Sequence, residues 1–191
     1  TMLLADVRRA APQLPIKSVE EAYGGSASAG GYELGQLAMH PAIVLVPYTK
    51  STMSFFEMYA MRLPIFTPSL ALLVKWELES HVLTERVYWA GAPSPLRTPE
   101  TPNPNALKDR AAVSHWLRLA DPYVFPHVQY FDSADDLAAK LRATDLRAVS
   151  AAMGRHLDAR APKAGAKWAA IMRALFEGRP PGSWPSDAHG D

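Results

Sequence analysis

The run Pro41-Ala42-Ile43-Val44-Leu45-Val46-Pro47 constrains the fold more than any other stretch of the chain. Five apolar residues stand in a row without alternation. That is the pattern of a strand buried on both faces. Helices must then cover both faces, which implies an α/β domain with a mainly parallel sheet. The flanking prolines bound the strand, because neither can donate to a ladder.

The next residues extend the pattern. Ser51 and Thr52 are both good caps for a helix from Met53 to Met61. Leu63-Pro64-Ile65-Phe66 reads as another short strand, and Ser69 caps a further helix to about Ser80. Pro41 to Pro68 is therefore a compact βαβ unit with a right-handed crossover. Upstream, Leu3, Leu4, Val7 and Ala11 recur at helical spacing, and Pro12 stops that helix. Leu14 to Val19 is a candidate edge strand, and Tyr32 to Met39 a candidate short helix. Downstream, a helix is expected over about Asn105 to Leu119 and a strand over Val128 to Phe131. Ser133-Ala134-Asp135-Asp136 opens a helix with a variant capping box. Asp145 caps the next helix, and Lys167 to Phe176 forms a separate last one.

Composition removes several function classes. The chain has 191 residues and 48% hydrophobic residues, enough for one domain with a real core. We assign residues 1–177 to a Rossmann-like α/β domain lacking its first strand, and 178–191 to a flexible tail. Net charge is +1, with 20 basic residues spread along the chain, so no nucleic-acid partner is implied. The absence of cysteine excludes disulfides and thiolate chemistry. No apolar stretch reaches the roughly 20 residues that span a bilayer, so membrane insertion by this segment is not expected. The six histidines are scattered, with no metal-site spacing, and no metal or cofactor is expected. The N-terminus reads as the middle of a helix, so the chain is expected to be a piece of a longer protein.

The loop Tyr48-Thr49-Lys50-Ser51-Thr52 is the candidate functional surface. In an open parallel sheet, ligands bind outside the carboxyl ends of the strands. This loop leaves such an end and enters a helix N-terminus, where free N–H groups and the dipole attract an anion. Lys50 adds a charge, and Thr49, Ser51 and Thr52 add hydroxyls. Glu57 lies about a turn and a half into the helix, placed to accept hydrogen bonds from sugar hydroxyls. A plainer reading of the same residues makes Ser51 or Thr52 a cap, Lys50 a solvated charge and Glu57 a surface acid.

The longer pattern from Ala42 to Ser69, with Ser51-Thr52, Glu57 and Leu63-Pro64-Ile65-Phe66, resembles the C-terminal, donor-binding half of GT-B fold glycosyltransferases. The run from Val128 to Leu137 is similar to the end of such domains. The resemblance implies a nucleotide-sugar-dependent transferase with no cofactor beyond its donor substrate. It assigns the donor diphosphate to Ser51 and Thr52 and sugar or ribose hydroxyls to Glu57. It also implies a partner lobe upstream in the same protein, carrying the acceptor site and often the catalytic base. Sugar, nucleotide, acceptor and catalytic residue are left open, as is the compartment, with cytoplasm and Golgi lumen both compatible. The chain departs from the family where Arg62-Leu63 replaces the glycine that usually precedes the proline. A non-catalytic α/β scaffold module is the alternative, and a phosphate-binding enzyme of another doubly wound family is a third.

Three further features stand beside that loop. Gly24 to Gly31 forms a glycine-rich stretch that fits neither the P-loop nor the dinucleotide fingerprint. Tyr88-Trp89, at the start of a proline-rich insertion from Val82 to Asn105, is a candidate sugar-stacking platform. His127, between Pro126 and a strand, is the histidine expected nearest a site. Trp76, Trp116 and Trp168 fall mostly at helical core or edge positions. Asp132, Asp135 and Asp136 are explained by capping and solvation.

Overall fold

Alternation along the strands decides which helix covers which face. The computed structural model describes residues 2–24, 32–49, 51–83, 98 and 100–178. In chain order these form α1 (Met2–Ala10), α2 (Val19–Tyr23), α3 (Leu34–Leu37), β1 (Ile43–Val44), α4 (Met53–Ala60), β2 (Ile65–Pro68) and α5 (Leu70–Ser80). There follow α6 (Arg110–Leu117), α7 (Asp121–Val124), β3 (Gln129–Phe131), α8 (Ala134–Ala143) and α9 (Leu146–Phe176). The strands form one parallel sheet in the order β1-β2-β3, with Ile43 opposite Ile65 and Phe66 opposite Gln129. The expected α/β class and parallel sheet are present, on a small scale.

One sheet face carries Ile43, Leu45, Ile65 and Val128. They pack against Leu37 of α3, Phe55, Met58 and Tyr59 of α4, and Met153 of α9. The other face carries Ala42, Val44, Phe66 and Phe131. They meet Val7 of α1, Leu72 and Trp76 of α5, and Leu137 and Ala138 of α8. A third cluster joins Leu73 and Val74 of α5 to Val113 and Leu117 of α6. No helix among the described residues is long and apolar enough to cross a membrane.

Several expectations need correction. In the 42–46 run Ile43 and Val44 form the strand, with Leu45 adding one N–H bond to the Phe66 carbonyl at 2.8 Å, and both are half-buried, because β1 is the edge of the sheet among the described residues. The strand buried along its whole length is the central one, β2. Leu14 to Val19 forms no strand. Pro12 and Pro15 cannot donate, and Arg8 Nη2 satisfies the Ile16 carbonyl at 2.9 Å. Ser18 instead opens α2 through a capping box with Glu21, whose Oε2 accepts the Ser18 N–H at 2.9 Å. The helix expected from Asn105 starts later, at Arg110, because the Asp109 carboxylate takes the N–H groups of Ala111 and Ala112. The two helices expected after Asp145 are one, the 31-residue α9, which carries Pro162 in its interior. Trp168, expected at a core or edge position, is 64% exposed on that helix.

Arg62 closes α4 with φ 59°, taking the left-handed conformation itself where glycine is the usual choice. Its guanidinium lies over Gly154 of α9, within 3.0 Å of the position a Cβ would take there, and pairs with Asp158 at 3.3 Å. The helix-to-strand turn is thereby tied to α9.

Candidate functional site

Parallel strands place every following helix N-terminus at the same end of the sheet. The carboxyl ends of β1, β2 and β3 lead into α4, α5 and α8, capped by Thr52, Ser69 and Ser133. Each cap hydroxyl accepts a backbone N–H one turn on. Thr52 Oγ1 takes that of Phe55 at 3.2 Å, Ser69 Oγ that of Leu72 at 3.2 Å, and Ser133 Oγ that of Asp136 at 3.1 Å. Other first-turn donors have no partner within their own helix, and three positive dipole ends share one edge.

Most of the expected site residues lie along the first of these turns. Pro47 is buried, Tyr48 is 52% exposed, Thr49 is half-buried and Ser51 is exposed. The Thr49 hydroxyl donates to the Ser51 carbonyl at 2.8 Å, which folds the loop back on itself ahead of the helix. Ser54 Oγ donates to Thr52 Oγ1 at 3.2 Å. Glu57 is half-buried, one turn beyond the exposed Met53, and its carboxylate has no hydrogen bond or ion pair among the described residues. Lys50 lies outside the described residues. So do residues 25–31 of the glycine-rich stretch, the Tyr88-Trp89 pair with most of the proline-rich insertion, and the tail from residue 179.

The floor of this edge is braced by tyrosines. Tyr123 Oη donates to the Pro68 carbonyl at 2.9 Å, and Tyr130 Oη to that of Pro122 at 2.9 Å, with the two rings stacked at 5.6 Å. Burial raises the pKa of both phenols, so they remain donors across the physiological range. Asp136 Oδ2 accepts the Asp132 N–H at 2.9 Å and Lys140 Nζ at 2.8 Å. Lys140 also donates to the Tyr130 carbonyl at 2.7 Å, and its hydrogen bond to Asp136, with that of the Asp132 N–H, holds the Asp136 carboxyl below the usual range. Asp136 therefore serves the capping role expected of it. Sequence reasoning missed Thr67 of β2. It is fully buried, and its Oγ1 has no hydrogen-bond partner. The available signal was a hydroxyl inside the otherwise apolar stretch Ile65-Phe66-Thr67-Pro68.

His127 sits at the opposite end of the sheet from this loop, because it precedes β3. Its φ of 67° turns the chain into the strand, and its ring meets that of His156 edge-on at 6.4 Å. Burial, with Arg160 and His127 nearby, lowers the pKa of His156. This is a packing cluster around Phe125, over which Arg160 lies at 5.4 Å. The described residues contain no group of three or more histidine or carboxylate side chains that could hold a metal ion.

The chain matches no model of a known family, no curated protein and no solved structure.

Proposed function

We propose that this chain is the donor-binding lobe of a nucleotide-sugar-dependent glycosyltransferase. The observation that carries the reading is the convergence of three hydroxyl-capped helix N-termini at one end of a parallel sheet, with a carboxylate beside one of them that has no partner among the described residues. Such an edge favours an anion. Ser51, Thr52 and the N–H groups entering α4 would take the donor diphosphate, with Lys50 adding charge. Glu57 would accept hydrogen bonds from ribose or sugar hydroxyls. Transfer forms a bond from an acceptor oxygen to the anomeric carbon and breaks that carbon's bond to the diphosphate. The diphosphate leaves with the bonding pair, and the acceptor proton goes to a base on a partner lobe. This lobe stabilises the leaving charge.

Calorimetry with nucleoside diphosphates and their sugars tests the reading on the complete protein. The expected outcome is saturable binding that Lys50→Ala with Glu57→Ala weakens about a hundredfold, roughly 2.7 kcal/mol. Absence of binding, or binding untouched by the double substitution, rejects it. A scaffold module is the second reading, and one observation favours it. The Thr49 and Thr52 hydroxyls are already engaged within the loop, as a purely structural turn requires.

A further inference from the structure

The distal half of α9 sorts its side chains by face. At about 100° per residue, Trp168, Met172, Leu175 and Phe176 stand at i, i+4, i+7 and i+8 and share one stripe. All four are exposed, Phe176 at 84%. Arg160 and Lys167 flank the stripe on one side and Arg173 on the other, and these three are exposed as well. Ala174 is buried and Ala170 half-buried on the far side of the helix. The helix is therefore covered from behind there and turns its stripe outward.

Charge narrows what can cover that stripe. α9 holds six of the 20 basic residues of the chain and one of the 19 acidic ones. It is thus +5, while the rest of the chain, with 14 basic and 18 acidic residues, is −4. The one acid, Asp158, already pairs with Arg62. Two copies meeting stripe to stripe would set +5 against +5, which disfavours self-association through this face. A groove that wraps an amphipathic helix needs access all round it, and the buried Ala174 side denies that. A flat anionic surface needs one side alone.

We propose that the distal half of α9 docks this protein on a bilayer surface containing anionic phospholipid, with the helix lying in the plane of the headgroups. Trp168, Met172, Leu175 and Phe176 sink to the boundary between headgroups and acyl chains. Lys167 and Arg173 lie along that boundary and reach up to lipid phosphates. The same surface repels the −4 remainder, which keeps the sheet on the water side and confines contact to α9. The helix adsorbs and does not cross, since none among the described residues is long and apolar enough to span. This inference rests on α9 alone, independent of donor binding.

The test sediments the complete protein with vesicles of phosphatidylcholine alone or of phosphatidylcholine mixed with phosphatidylserine. Binding to the mixed vesicles should be at least about tenfold tighter than to the neutral ones and should weaken with added salt. Trp168→Ala with Phe176→Ala, and separately Lys167→Gln with Arg173→Gln, should each weaken it about tenfold. These positions are exposed, so the variants should keep the parent's circular dichroism. Brominated acyl chains should quench the parent's fluorescence more than that of Trp168→Phe. No binding, equal binding to both kinds of vesicle, or binding unchanged in either pair of variants would overturn the proposal. So would Trp168 shielded from acrylamide before vesicles are added, which would show the stripe already covered by protein. A dimer that Trp168→Ala splits would overturn it too.

Discussion

Arg62 shows how one side chain can hold a backbone angle that its own Cβ opposes. The left-handed conformation costs a non-glycine residue about 1–2 kcal/mol. Here that residue also carries the link to α9, through its position over Gly154 and its pair with Asp158. Both partners of the pair are more than half exposed, which limits its worth to about 0–1 kcal/mol. The two effects nearly cancel, so Arg62→Gly should change unfolding free energy by less than about 1 kcal/mol. Arg62→Ala keeps the strained angle and loses the pair, and should cost about 1 kcal/mol relative to Arg62→Gly. Chemical denaturation of the three proteins measures both differences. The departure from glycine was legible in the sequence as a turn that must close differently. Its solution was not, because it depends on Gly154 and Asp158, some ninety residues away.

At the scale of elements, local signals located boundaries well where a cap was involved. Thr52, Ser69, Ser133 and Asp145 each begin a helix as their side chains suggest. The signals failed where tertiary context decides. The apolar run Ala42 to Val46 looks doubly buried in isolation, yet it lies at the edge of the sheet among the described residues and is only half-buried. Pro162 stands between the two helices expected after Asp145, but α9 continues through it, with Ala161, Ala164 and Ala166 supplying helix propensity. A proline in a helix interior costs about 3 kcal/mol against alanine. Residues 158–169 of α9 are all exposed, so this part of the helix can fray without unfolding the core. Pro162→Ala should therefore raise helical content by circular dichroism and slow amide exchange after residue 162, while the main thermal midpoint moves little. A large rise in that midpoint would mean that the distal half of α9 unfolds together with the sheet. The exposed stripe of Trp168, Met172, Leu175 and Phe176 would then belong to the cooperative unit.

For the whole molecule, pH separates the two ends of the sheet. At the amino ends, His156 lies among Tyr59, Phe125 and His127, with Arg160 nearby, and its pKa is lowered by burial and those cations. The unfolded chain therefore binds its proton more readily. The resulting stability is present above about pH 6.5 and is lost as pH falls below it. Elsewhere two carboxylates act in a more acidic range. Arg8, at 2.6 Å, pulls the Glu21 carboxyl down from 4.5 to about 2, aided by the Ser18 N–H. Asp136 is lowered by Lys140 and the Asp132 N–H. Their contribution is present above the unfolded carboxylate range and is lost as pH falls through the folded values. Thermal midpoints should thus fall in two steps on acidification, one below about pH 6.5 and one below about pH 4.5. His156→Phe keeps the ring contacts without the titration and should flatten the first step. Glu21→Gln should flatten part of the second, and each substitution should leave the other step in place. The steps are separable because the imidazole and carboxylate ranges lie about two pH units apart, even if the whole chain unfolds as one unit. A midpoint that falls only below about pH 4.5 would show that burial of His156 does not contribute to stability.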